Sequence, residues 1–344
     1  MPNAIEPWRI GLVSVALATC LIARGAPRSI GRSAQANGHR LARTETGTIR
    51  VWGSPADASL IERIESGFRR THGAVYFANA FHGPESTFAS VNLGVADIAF
   101  MARELRVPLE TMAFEWEHHY APFEIDVANA GLGRSSGPDG REANLAFLVN
   151  ERNPLSCITL MQADDAFAAD HRRGGVDADR WGNLTSSVAW KNRPIHVYGP
   201  PIETFAAVYL RSAVLDGSRK WNPHYREMAG DWNAVLAAVA RDPDAIAFAP
   251  PLPRSRGVKA LRLADARGAP CIALDAQSVT SGAYPMLRKV DVALDRRPGT
   301  AIDSKVAQFL RYLLSPHAQR IIAGGGFYLP LGARDLRLQL RRLE

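Results

Sequence analysis

The chain has 344 residues, 47% of them hydrophobic and 22% charged. That is long enough for two buried cores and too apolar for a disordered or low-complexity protein. Its net charge of +7 comes from lysines and arginines spread along the chain, with small clusters at Arg69–Arg70, Arg172–Arg173, Arg296–Arg297 and Arg341–Arg342. No aromatic residues interleave with them to stack on bases, so a nucleic-acid platform is set aside in favour of a solvated basic surface or an anionic small ligand.

The first element is a leader. Arg9 precedes an apolar run from Ile10 to Ala23, which has the proportions of a signal-peptide core and is short for a membrane span. Residues 1–47 are therefore expected to be signal peptide and polar linker. Two processing patterns compete: Leu17–Cys20 imitates a lipobox, and Ala34–Ala36 fits a small-x-small cleavage site.

Folded structure is expected from Thr48. Residues 48–52 alternate as a strand, and Leu60, Ile61, Ile64 and Phe68 recur at helical spacing. A strand at Ala74–Ala78 follows, then a loop at His82–Thr87, a short helix and a strand at Asp97–Met101. This strand–loop–helix alternation predicts a parallel α/β sheet with ligand loops at the strand ends. The pattern returns after residue 143, with strands at Leu145–Val149, Ile195–Tyr198, Ala245–Ala249 and Lys289–Leu294. Helices are expected at Thr159, with a capping box, at Phe205–Val214, around Val235–Val239, and over Val306–Leu313. A final helix starts at Ser315–Pro316 and stops at Gly324–Gly326. Residues 333–344 are expected to be a basic tail. Of three cysteines, Cys20 falls in the leader, while Cys157 and Cys271 are read as buried free thiols, with pairing in an oxidising compartment as the other option.

Several segments, in order along nearly the whole chain, resemble phosphate-binding proteins of ABC transporters. They are Gly53–Ser54, Gly94–Glu104, Asn153–Leu160, His171–Gly175, Trp181–Leu184, Pro194–Gly199, Gly282–Pro285 and Gly326–Leu331. The resemblance implies an α/β, two-lobed type II periplasmic-binding-protein fold. Lobe 1 would combine residues 48–127 with 285–332, and lobe 2 would span 128–284. Two hinge strands, near Glu124–Asn129 and Leu287–Leu294, would join them. It also implies a periplasmic, monomeric receptor for phosphate or a similar oxyanion, a membrane ABC permease as partner, and no cofactor.

An anion site of this kind needs hydroxyls and backbone N–H groups at helix N-termini, where the helix dipole favours negative charge. Ser54, Ser86, Thr87 and Thr204 stand at such termini, and Arg103 ends a strand with a guanidinium suited to bidentate hydrogen bonds. N-capping is the competing role for the hydroxyls, and a surface ion pair with Glu104 or another carboxylate for Arg103. The turn Pro200–Ala206 departs from the family. Phe205 stands where glycine allows close approach, Ala206 lacks a hydroxyl, two prolines lack N–H donors, and Glu85 and Glu203 add repelling carboxylates. Weak binding, or a signalling scaffold that keeps the fold without transport, is the alternative. A phosphatase is disfavoured: no nucleophile elbow, Walker loop or zinc motif is present, and the adjacent His118 and His119 point apart.

Overall fold

The computed structural model describes residues 47–105, 108–133, 142–229, 231–251 and 255–344. The export leader, Cys20 and the Ala34–Ala36 pattern lie outside the described residues. The chain opens with β1 (Thr48–Gly53), α1 (Ala58–Arg69), β2 (Tyr76–Phe81), α2 (Pro84–Asn92), β3 (Ile98–Phe100), α3 (Leu109–His118) and β4 (Phe123–Asn129). It continues with β5 (Ala146–Asn150), β6 (Cys157–Thr159), α4 (Leu160–Phe167), β7 (His196–Gly199), α5 (Phe205–Ala213) and β8 (Arg226–Glu227). Next come α6 (Trp232–Arg241), β9 (Ala245–Ala249), β10 (Val258–Ala260), β11 (Arg262–Ala264) and α7 (Ala276–Ser281). The last elements are β12 (Lys289–Leu294), α8 (Ser304–Leu313), α9 (Pro316–Gly324) and α10 (Ala333–Arg342).

Two five-stranded sheets organise these elements, in the orders β2-β1-β3-β12-β4 and β10-β5-β9-β7-β8. In the first, β1 runs parallel to β2 and β3, whereas β12 is antiparallel to β3 and β4. The apolar stripe of α1, Leu60, Ile61, Ile64 and Phe68, is buried with Val306, Phe309 and Leu310 of α8 and Ile322 of α9. The second sheet buries Phe147, Val197, Ile246 and Phe248 against Phe167 of α4 and Leu210 of α5. Its other face receives Val235 and Val239 of α6.

Three expectations are corrected. The second strand begins at Tyr76, because its parallel register with β1 runs from Thr48↔Tyr76 to Gly53↔Phe81. Ala74 and Val75 instead form the turn that precedes it. Residues 333–344 are not a tail: α10 lays Leu336 and Leu340, with Leu343 just beyond it, on the first core. The guanidinium of Arg342 lies 5.6 Å from the Phe123 ring centre. Cys157 and Cys271 are joined in a disulfide. The parallel pair β6–β11 and the bridge Leu263↔Ile272 bring together positions 114 residues apart.

The chain leaves the first sheet after Asn129 and returns to it at Lys289, and the two crossings are laced together. Asn144 donates to the Ala130 carbonyl at 2.6 Å and accepts from the Arg288 backbone at 2.8 Å. Ala130 N donates to the Arg288 carbonyl at 2.9 Å, and buried Tyr284 donates to the Leu145 carbonyl at 3.0 Å. Gly131 is required for this close approach, since a Cβ there would fall 1.8 Å from the Phe327 carbonyl oxygen. Among the described residues, no helix is long and apolar enough to cross a membrane.

Candidate functional site

Because β1, β2 and β3 are parallel, their carboxyl ends lie along one edge of the first sheet, and the segments after them emerge together. Ser54 follows β1, the first turn of α2 follows β2, and Arg103 follows β3. In the second sheet the turn after β7 leads to Thr204 and α5. Arg173, within one of the family-like segments, donates to the Ala213 carbonyl at 2.7 Å. A cation is thus placed at the C-terminal end of α5, where the helix dipole favours it.

Arg103 connects these pieces. Its side chain is fully buried and binds Glu110 through both terminal nitrogens: Nη2 to Oε1 at 2.6 Å and Nη1 to Oε2 at 2.8 Å. Nη1 also donates to the Glu104 carbonyl at 2.8 Å, and Nη2 to the Pro84 carbonyl, in the first turn of α2, at 3.4 Å. The ring of Phe205, first residue of α5, stacks with its centre 4.3 Å from the guanidinium carbon. The Arg103 Nε hydrogen has no partner among the described residues. One cation therefore meets the N-terminal turns of α2 and α5, and so the loops of both sheets.

A second buried arginine repeats the arrangement. Arg288 pairs with Glu104 at 2.6 Å and with Glu142 at 2.6 Å, and Tyr209 stacks with its ring centre 4.7 Å from the guanidinium carbon. Phe205 and Tyr209 are four apart and share one face of α5, so that helix rests on two arginines through two aromatic rings. Burial alone would lower the Arg288 pKa, but Glu104 and Glu142 more than offset it and hold the group charged. Burial raises the Glu142 carboxyl despite that partner. Beside the rings is a cavity of about 220 Å³ lined by Glu104, Leu105, Glu124, Phe205, Val208 and Tyr209. Burial lifts Glu124 to about 7, with Arg342 opposing the rise. Asp291, opposite Asp126 in the β4–β12 register, is held well above the usual carboxylate range by burial and then by Asp126, Glu124 and Glu104.

The five expected site residues fall as follows. Arg103 and the termini bearing Ser86, Thr87 and Thr204 come together, although every one of these hydroxyls donates locally. Ser86 and Thr87 both donate to the Gly83 carbonyl, at 2.8 and 3.3 Å. Thr204 donates to the Pro201 carbonyl at 2.8 Å while capping Ala207 N. Ser54 is buried at the end of β1 and accepts from Ala56 N at 3.3 Å. Glu85 and Glu203 are exposed. Glu110, Arg288 and Tyr209 were missed. The aromatic pair at positions 205 and 209 was a readable signal, whereas the carboxylate–arginine partnerships depend on tertiary contacts. His118 stacks on Phe114 and hydrogen-bonds the Asn92 carbonyl. Among the described residues no group of three His, Cys, Asp or Glu side chains could hold a metal ion.

No family model matches the chain. Over 299 residues it is 24% identical to the phosphate-binding protein PstS of Pseudomonas aeruginosa, covering 87% of each protein. PstS from Borrelia burgdorferi superposes with a TM-score of 0.55 at 11% identity, over 84% of this chain and 100% of that one. The fold is that of the two-lobed periplasmic binding proteins. An ABC-type phosphate transport receptor from Vibrio cholerae gives 0.51 at 18% identity, over 82% of this chain and 100% of that one. The resemblance to phosphate-binding proteins thus spans both sheets, and the contact of Arg103 with Phe205 joins an element of one to an element of the other.

Proposed function

We propose that the protein is an exported receptor that holds phosphate or a similar oxyanion between its lobes and presents it to a membrane ABC permease. The observation that carries this reading is the placement of Arg103 between the N-terminal turns of α2 and α5, one from each sheet. A buried guanidinium beside helix N-termini offers charge-assisted donors and favourable dipoles to an anion. The likeness to phosphate-binding proteins supports the choice of ion, and Ser54, Ser86, Thr87 and Thr204 are the hydroxyls we assign to it. The lobes, residues 48–127 with 285–332 and residues 128–284, would close on the ion about β4 and β12. Export is supported by the leader-like N-terminus and by the disulfide, a bond characteristic of oxidising compartments. The role is binding by a monomer, with no catalytic step assigned.

A second reading, a scaffold whose ligand binding is weak or lost, is favoured by the Glu110 carboxylate already on Arg103. Thermal melting in phosphate, sulfate and arsenate separates the two. An ion at one hundred times its dissociation constant adds about 2.7 kcal/mol, so melting should rise by several degrees. If millimolar concentrations of all three ions leave the melting curve unmoved, the receptor reading fails and the scaffold reading replaces it.

A further inference from the structure

Resting on the oxyanion reading, we propose that Glu110 is an internal competitor, a carboxylate that occupies the anion position on Arg103 and sets the affinity threshold of the site. A carboxylate presents two oxygens in the plane that a guanidinium recognises, as two oxygens of a tetrahedral oxyanion do. The Glu110 oxygens take both Nη1 and Nη2, at 2.8 and 2.6 Å. Glu110 sits in the first turn of α3, where the helix dipole also favours a negative charge. The Arg103 side chain has no exposed surface, against 15% for the Glu110 side chain. The carboxylate is therefore the partner that can swing out, while the arginine stays between Pro84 and Phe205.

Two further observations belong with this. Arg103 Nε keeps an unpartnered hydrogen among the described residues although the residue is only 1% exposed, so Glu110 leaves one donor unused. Phe205 stacks on the same guanidinium from the opposite lobe, which makes the Glu110-bound form a closed form. Incoming ion must displace Glu110 to reach Nη1 and Nη2, because Glu110 already takes one hydrogen of each and the Glu104 and Pro84 carbonyls take the other.

Isothermal titration of the full chain with phosphate and with sulfate tests this, using wild type, Glu110→Gln and Glu110→Asp. Glutamine keeps the shape and removes the charge, so phosphate should bind at least about tenfold more tightly, the scale of one charge-assisted hydrogen bond. Aspartate, one methylene shorter, should give an intermediate gain and remains informative if the glutamine variant fails to fold. A gain in either variant, including binding where wild type shows none, supports the competitor. Wild-type binding with no gain in any folded variant overturns it and leaves the receptor reading intact. Silence from wild type alone moves the protein from the receptor to the scaffold reading, and silence from the folded variants as well overturns the oxyanion site and the competitor with it.

Discussion

At the scale of single residues, the cleft is governed by buried charges that already have partners. Breaking a buried pair from one side leaves its partner's charge uncompensated, which costs about 3–5 kcal/mol. Arg103→Ala should therefore lower unfolding stability in denaturant by about 3 kcal/mol and abolish the phosphate-dependent rise in melting temperature. Arg103→Lys should recover part of the stability but little of the ion response, since an ammonium lacks the planar fork. A ligand response that survives unchanged in Arg103→Ala would remove this residue from the site. The buried carboxyls make a separate prediction. Glu124 and Glu65 are each lifted from 4.5 to about 7, chiefly by burial. Between these values the folded protein retains protons that the unfolded chain has released, so stability must fall as pH rises from 4.5 towards 7. Glu124→Gln should flatten part of that decline in melting curves taken from pH 5 to 8, and an unaltered slope would count against the raised carboxyl. Arg103 was legible from the sequence as a strand-end cation, but the ion pair expected for it at the surface, with Glu104 as the first candidate, is buried, and the Glu104 carboxylate goes to Arg288 instead. Its actual partner was not legible, because the approach of Glu110 depends on how α3 docks.

At the scale of elements, α5 carries the contact between the lobes through residues on one of its faces. Phe205→Ala removes a cation–π contact worth about 2 kcal/mol when desolvated. It should lower stability by about that amount and give a larger radius in small-angle scattering without ion. Tyr209→Ala should act in the same direction through Arg288. If both variants scatter as wild type does, the stacked rings are not what holds the lobes together. In the crossing segment, Gly131→Ala should cost at least about 1–3 kcal/mol, the usual penalty of overpacking, because its Cβ would overlap the Phe327 carbonyl. Elements with strong periodicity, such as β1, α1 and α8, could be read directly. The three-residue strands β6, β10 and β11 could not, since each is defined by a distant partner and has no alternation of its own. Helix α10 was obscured by its arginines: Arg334, Arg337, Arg341 and Arg342 outweighed the apolar line of Leu336, Leu340 and Leu343.

At the scale of the whole molecule, two sheets exchange the chain twice, and the order of family-like segments made that return legible before any contact was known. How the cleft is filled was not legible. Arg288 and Glu104 are 184 residues apart, and only the folded crossing makes them neighbours. Small-angle scattering with and without phosphate should show a small change for wild type, whose lobes already meet through Phe205 on Arg103, and a larger contraction for Phe205→Ala. A large contraction of wild type would mean that the form described here is not the resting one in solution. The bond between Cys157 and Cys271 also acts at this scale. Removing a native disulfide typically costs about 2–5 kcal/mol, so Cys271→Ser should unfold at lower denaturant. The same bond closes a covalent ring around β7, α5, α6 and β9, so a protease that cuts the backbone anywhere between those cysteines creates two chains that cannot part. Nicked protein should migrate as one species without reductant and as two fragments with it, and should keep its ion response for as long as the bridge is intact.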